Sequence, residues 1–156
     1  MTGESGAPIV RPVAAADFSR WLPLWEGYNT FYGRAGPTAL PAGITWTTWS
    51  RFLDPAEPVH ALVAERAGQL LGIAHYLFHR STIRIELICY LQDLFTAEAA
   101  RGQGIGRTLI GAVAERARAA GTTRLYWQTH ESNHAAQRLY AAVAQRSGFI
   151  VYRQEL

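Results

Sequence analysis

The run Arg101-Gly102-Gln103-Gly104-Ile105-Gly106-Arg107 constrains this chain more than any other stretch. It follows a strand-like segment, Tyr90-Leu91-Gln92-Asp93-Leu94-Phe95-Thr96, and opens an amphipathic helical run that reaches about Ala120. Glycines alternating with other residues let the backbone turn tightly and point successive N–H groups inward, where they can hold a phosphate. The positive end of the following helix dipole faces the same place, and Arg101 and Arg107 add charge that can pair with phosphate oxygens. Any fold for this chain must therefore set a strand, this loop and this helix in succession. The loop reads as a pyrophosphate cradle.

With 156 residues, 49% hydrophobic and 17% charged, the chain suits one globular domain, expected over residues 8–156 after a flexible tail at 1–7. No apolar run approaches the ~20 residues of a membrane span, and no signal-peptide layout opens the chain. The single cysteine, Cys89, excludes an internal disulfide and points to a cytoplasmic setting and a core position. The net charge of +3 is small and the arginines are dispersed, which speaks against nucleic acid. A polyanionic small ligand needs only a local cluster, and residues 101–107 provide one.

Periodicity and turn signals predict strands at Ile9–Val13, Val59–Glu65, Leu70–His79, Glu86–Thr96, Leu125–Thr129 and Phe149–Arg153. Arg66-Ala67-Gly68-Gln69 reads as a hairpin turn. Helices are expected over Asp17–Phe31, Thr45–Leu53, Ile105–Ala120 and Asn133–Arg146, with Gly121 closing the third. One crossover helix separates the strands ending at Thr96 and Thr129, so a mixed α/β sheet follows.

Three constellations carry chemistry. The glycine loop has two other readings. One is a plain β–α surface turn. The other is a dinucleotide fold, which would want its glycines near the first strand, whereas here they follow the fourth. The second constellation is Leu125 to Tyr140. Asn133 suits a helix N-cap, and Tyr140 lies two turns further along the same face. A phenol beside a thioester can protonate a departing thiolate, while the alternative for Tyr140 is core packing with Leu139 and Val143. The third, His130-Glu131-Ser132-Asn133-His134, spells H-E-x-x-H. Zinc chemistry needs both imidazoles on one continuous helix. A helix starting near Ser132 or Asn133 leaves His130 outside it, so no metal is expected.

Together, the glycine loop and the Asn133–Tyr140 segment resemble the GNAT superfamily of acetyl-CoA-dependent N-acetyltransferases. Tyr90–Thr96 with Arg101–Gly106 is similar to its coenzyme A motif. Asn133–Tyr140 with Gly148-Phe149 is similar to its second motif. The wording from Tyr126 to Tyr140 is especially similar to that of small fungal histone and polyamine acetyltransferases.

The resemblance implies an acyl-CoA N-acyltransferase fold. That fold is a mixed, mostly antiparallel central sheet of six to seven strands with about four flanking helices. It also implies acetyl-CoA as cofactor and direct attack by a primary amine of a small molecule in a ternary complex. Residues 101–107 would hold the pyrophosphate, through the amides of Gln103, Gly104, Gly106 and Arg107. Leu94, Phe95 and Thr96 would run beside the pantetheine arm, with the Leu94 N–H polarising the acetyl carbonyl. Asn133 would touch the cofactor arm, and Tyr140 would be the general acid.

The position where many polyamine acetyltransferases carry a Glu base is Gln92 here, which accepts no proton at neutral pH. Asp93, Glu131 or Glu86 must then serve through water. The aromatics of the first two helices, with Glu26, Tyr28, Gln92, Asp93 and His130, are the expected acceptor-binding set. The stretch from Tyr140 to Gly148 exceeds the usual spacing, implying a longer helix. A homodimer is expected, with Phe149–Arg153 as its exchange element. Polyamines, amino acids and aminated metabolites are the candidate acceptors. A protein lysine and a non-catalytic acyl-CoA sensor are the alternatives.

Overall fold

A computed structural model describes residues 6–156; most of the tail expected at 1–7 lies outside the described residues. Five strands form one sheet in the order β1 (Ile9–Pro12), β2 (Val59–Arg66), β3 (Gln69–His79), β4 (Ile88–Thr96), β5 (Leu125–Trp127). Neighbouring strands are antiparallel except β4 and β5, which are parallel. Four helices flank the sheet: α1 (Phe18–Phe31), α2 (Ala42–Leu53), α3 (Ile105–Ala119) and α4 (His134–Val143). The helix α3 is the expected crossover between β4 and β5.

The β2–β3 hairpin turns where the sequence places it. Arg66 pairs with Gln69, and Ala67 (φ 49°) and Gly68 (φ 76°) supply the two left-handed residues that match the strand twist. Gly121 (φ 80°) ends α3, and the Thr122 N–H reaches back to Ala117 O at 2.9 Å. The second helix starts three residues before the expected Thr45, because Pro41 leads straight into it and Ile44 N–H bonds Pro41 O.

Both faces of the sheet are covered, so β2 reads as the continuous apolar run Ala61-Leu62-Val63-Ala64 rather than an alternation. Leu62, Ala64, Ala74, Leu91, Ile105, Leu109 and Val113 pack on the α3 face. Trp21, Leu24, Trp25, Trp49, Val63 and Ile73 pack on the α1–α2 face.

The sheet has five strands, not six to seven. The last expected strand, Phe149–Arg153, joins no neighbour within the chain, and Phe149 and Tyr152 are 91% and 88% exposed. Nor is there a lengthened last helix. It ends at Val143, Ala144 is extended (φ −152°), and the added residues run on as irregular chain.

Candidate active site

The sheet parts where β4 and β5 diverge. Their parallel pairing covers only Cys89–Leu91 against Leu125–Trp127, so the β4 edge from Gln92 to Thr96 has no neighbour on that side. A narrow slot opens there, lined by Tyr28, Tyr32, Leu91, Gln92, Leu94, Trp127, Gln128 and Tyr140.

A β-bulge prepares this slot. His75 is opposite Asp93 and Tyr76 is opposite Leu91, so Gln92 is an extra residue without a partner. Side chains alternate faces along a strand, and one inserted residue reverses the alternation beyond it. Leu91 therefore packs on the α3 face, whereas Asp93 turns to the α1 face beside His75. Gln92 itself is exposed at the slot.

Asp93 is 8% exposed and belongs to a buried polar chain. The Trp21 indole Nε1–H donates to His75 Nε2 at 3.1 Å, and His75 Nδ1 meets Asp93 Oδ2 at 2.8 Å. An indole nitrogen only donates, so Nε2 accepts, and Nδ1 carries the imidazole proton that Asp93 receives. The Tyr28 phenol lines the slot on the Asp93 side. Burial raises the Tyr28 pKa well above the usual phenol value, and the Asp93 charge raises it further. The hydroxyl therefore keeps its proton.

Tyr140 stands on α4 with its ring edge-on to Trp127, centroids 5.4 Å apart. Burial, with a smaller contribution from Tyr32, lifts its phenol to about 12. The proton stays on Oη through the neutral range. Burial likewise pushes the core thiol of Cys89 up to about 11, well away from the slot.

The glycine loop lies at the start of α3. Gly102 (φ 75°) and Gly104 (φ 78°) take left-handed backbone. Among the described residues, the amides of Gln103, Gly104, Gly106 and Arg107 donate to no protein acceptor, while Thr108 N–H bonds Gly104 O. This is the open helix start that an anion requires. A Cβ on Gly106 would stand 3.2 Å from Leu139 Cδ2, so the helix start and α4 crowd together. Gln103 is held sideways by Arg66 Nη2, which donates to its Oε1 at 2.5 Å. Arg101 lies over the Phe95 ring at 5.6 Å. Ile105 is buried under the loop and anchors it. These residues fit a diphosphate: open amides, room at both left-handed glycines, and arginines on either side.

Asn133 caps α4 as the sequence predicts, its Oδ1 accepting from Ala136 N–H at 3.3 Å. Other expected residues stay apart from the slot. Glu26 lines a separate hollow between α1 and α2, of about 460 Å³. Glu131 is exposed, and only its backbone carbonyl is engaged, by Gln137. Glu86 is occupied by Thr123 and Arg84, and those bonds lower its pKa, the Thr123 bond most. His130 lies before α4 and bonds Ser132 at 2.7 Å, so it shares no helix with His134. Among the described residues, no three His, Cys, Asp or Glu side chains cluster as a metal set.

Sequence reading missed His75, and it took Trp21 and Tyr32 only as members of the aromatic wall of the first two helices. A histidine inside an apolar strand carries no motif; only the β3–β4 register, bulge included, pairs it with Asp93.

Residues 21–144 match the model of the Acetyltransferase (GNAT) family. The chain belongs to that family. It is 35% identical over 148 residues to the D-amino-acid N-acetyltransferase HPA3 of Saccharomyces cerevisiae, covering 94% of this chain and 89% of that protein. This member of the GNAT family is an N-acetyltransferase. Solved structures share the fold. One, described as a probable acetyltransferase, superposes with a TM-score of 0.82 at 21% identity, covering 95% of this chain and 97% of the other. Another is AAC(6')-Iy in complex with the bisubstrate analogue CoA-S-monomethyl-acetylneamine, with a TM-score of 0.79 at 14% identity, covering 97% and 99%.

Proposed function

We propose that the protein, as one domain over residues 8–156, transfers an acetyl group from acetyl-CoA to the primary amine of a small molecule. Attack is direct, within a ternary complex. The slot at the β4–β5 divergence carries this reading, because it sets a protonated Tyr140 beside an open strand edge and the free amides of α3. The amino-acid activity in the name of the yeast relative supports an amine of metabolite size.

Acetyl-CoA, when bound, supplies the thioester. The amides of Gln103, Gly104, Gly106 and Arg107 hold the pyrophosphate, with Arg101 and Arg107 adding charge. Gly102 and Ile105 shape the loop. Leu94, Phe95 and Thr96 offer the unpaired β4 edge to the pantetheine arm, where the Leu94 N–H orients the acetyl carbonyl. Asn133 contributes the part of its amide not used in capping. Tyr140 Oη holds the proton that the sulfur needs.

The amine's proton reaches the Asp93 carboxylate through water beside Tyr28. Gln92 accepts a hydrogen bond from the amine but no proton. A cytoplasmic setting and no nucleic-acid or membrane partner complete the reading; among the described residues no helix is long and apolar enough to cross a membrane.

We further propose a homodimer. The segment Phe149-Ile150-Val151-Tyr152 is a continuous exposed apolar run, and among the described residues the outer edge of β5 has no neighbour. A second copy accounts for both.

The test is thiol release from acetyl-CoA against an amine panel, repeated with Tyr140→Phe. We expect at least about a tenfold loss in kcat. No loss would remove Tyr140 from its role.

A further inference from the structure

One charged side chain beside the slot has no protein partner for its outer nitrogens. Gly33 (φ 78°) turns the chain back over the end of α1, so that Arg34 doubles onto Asn29. The backbone N–H of Arg34 donates to Asn29 O at 2.8 Å, and its Nε donates to Asn29 Oδ1 at 2.7 Å. Asn29 is buried and is itself fixed by Nδ2 donating to Trp25 O. The guanidinium lies 5.7 Å from the Tyr28 ring and 5.5 Å from the Tyr32 ring, and both rings line the slot. Among the described residues no carboxylate pairs with Arg34, and Nη1 and Nη2 meet no acceptor. Glu26 lines the same α1–α2 hollow as Arg34 yet makes no ion pair with it.

A guanidinium oriented through Nε and flanked by aromatic rings presents its two Nη groups as a fork, the geometry that grips a carboxylate. Burial raises both phenols most, the negative Asp93 raises them further, and Arg34 lowers them. One tyrosine pair therefore sits between a fixed anion and a fixed cation. A zwitterion matches that pattern: its ammonium belongs toward Tyr28 and Asp93, its carboxylate toward Arg34. A polyamine does not match, because Arg34 repels its distal ammonium groups.

We infer that Arg34 is a specificity-determining residue that binds the carboxylate of the acceptor, so that the acceptor is an amino acid. The inference rests on the proposed transferase reading, and its failure is separable from that reading.

The experiment compares amino acids with the amines left when the carboxylate is removed: alanine (both enantiomers) with ethylamine, and phenylalanine with phenethylamine. Spermidine is included. The wild type should prefer each amino acid over its amine and over spermidine in kcat/KM. Arg34→Gln should lower the amino-acid-to-amine ratio by about 10- to 100-fold, the worth of a charge-assisted hydrogen bond, through the amino acid's KM. Arg34→Lys should restore part of the ratio.

An equal fall for both members of a pair would show a merely structural Arg34 and overturn the inference. So would a wild type without the preference. If the wild type acetylates none of these acceptors, the transferase reading fails, and equilibrium binding of phenylalanine decides the carboxylate site alone. Binding weakened by Arg34→Gln would uphold it, and equal or absent binding would overturn it.

Discussion

Trp21 can only donate through its indole nitrogen, and this places the protons along the whole buried chain from Trp21 to Asp93. Replacing it with Phe leaves His75 Nε2 bare in a dry core. An unsatisfied buried acceptor costs about 1–3 kcal/mol, which thermal denaturation should register as a lowered Tm. His75→Phe should go further by removing the hydrogen bond to Asp93. Asp93→Asn should lower the rate most near neutral pH, with the deficit shrinking as pH rises, because more of the acceptor then arrives as free amine. A deficit that does not change with pH would argue against Asp93 as proton acceptor.

A second buried carboxylate has a different task. Asp17 is 1% exposed and accepts from Arg11, Arg20 and the Ala14 N–H, at 2.6–2.9 Å. The Arg11 guanidinium is the main cause holding its pKa far below the usual carboxylate range. Glu65 accepts from the same two arginines, so the cluster ties β1, the start of α1 and β2 together. A depressed folded-state pKa adds stability that is complete above the unfolded value of about 4 and lost as pH falls below it. Asp17→Asn should therefore destabilise at neutral pH by about 2 kcal/mol, and by less in acid. Urea midpoints at several pH values will show the gap narrowing.

At the scale of elements, α3 presses on β3 through a missing side chain. A Cβ on Gly72 would lie 2.9 Å from Ile105 Cγ2, 3.0 Å from Leu109 Cδ1 and 3.0 Å from Phe95 O. Gly72→Ala must push the start of α3, and the loop it carries, off the sheet. Overpacking of this kind costs about 1–3 kcal/mol. We expect a lower Tm together with a raised KM for acetyl-CoA; a stable variant with normal KM would deny that this contact positions the loop.

The same scale shows what could be read from residues alone. The glycine loop, α3 and the β2–β3 turn were legible because their glycines have local geometric duties. Tyr140 was legible through its two-turn spacing from Asn133. The pairing of His75 with Asp93 was not, because nothing local in Gln92 announces an extra residue in β4. Arg34 was equally silent, its meaning arising only when Gly33 folds it back over Tyr28. Phe149-Ile150-Val151-Tyr152 reads as a strand because it is an unbroken apolar run, yet such a run calls for burial and does not say which chain supplies it.

For the whole molecule, that last segment is the open boundary. Five strands end at a free β5 edge while apolar residues at 149–152 stand in water. Deleting residues 149–156 should convert a dimer to monomer by sedimentation equilibrium, and an unchanged mass would place the interface elsewhere. The slot, the helix start and the aromatic wall come from several separate elements, which α3 and the bulged β4 bring to one place. Their joint purpose is tested most directly by product analysis. Wild-type protein is incubated with acetyl-CoA and an amine panel, and the mixture is resolved by mass spectrometry. The account predicts an N-acetylated amine and free coenzyme A in equal amounts, formed only when both substrates are present, with the protein's own mass unchanged. Tight acetyl-CoA binding with no acetylated amine from any acceptor would contradict it.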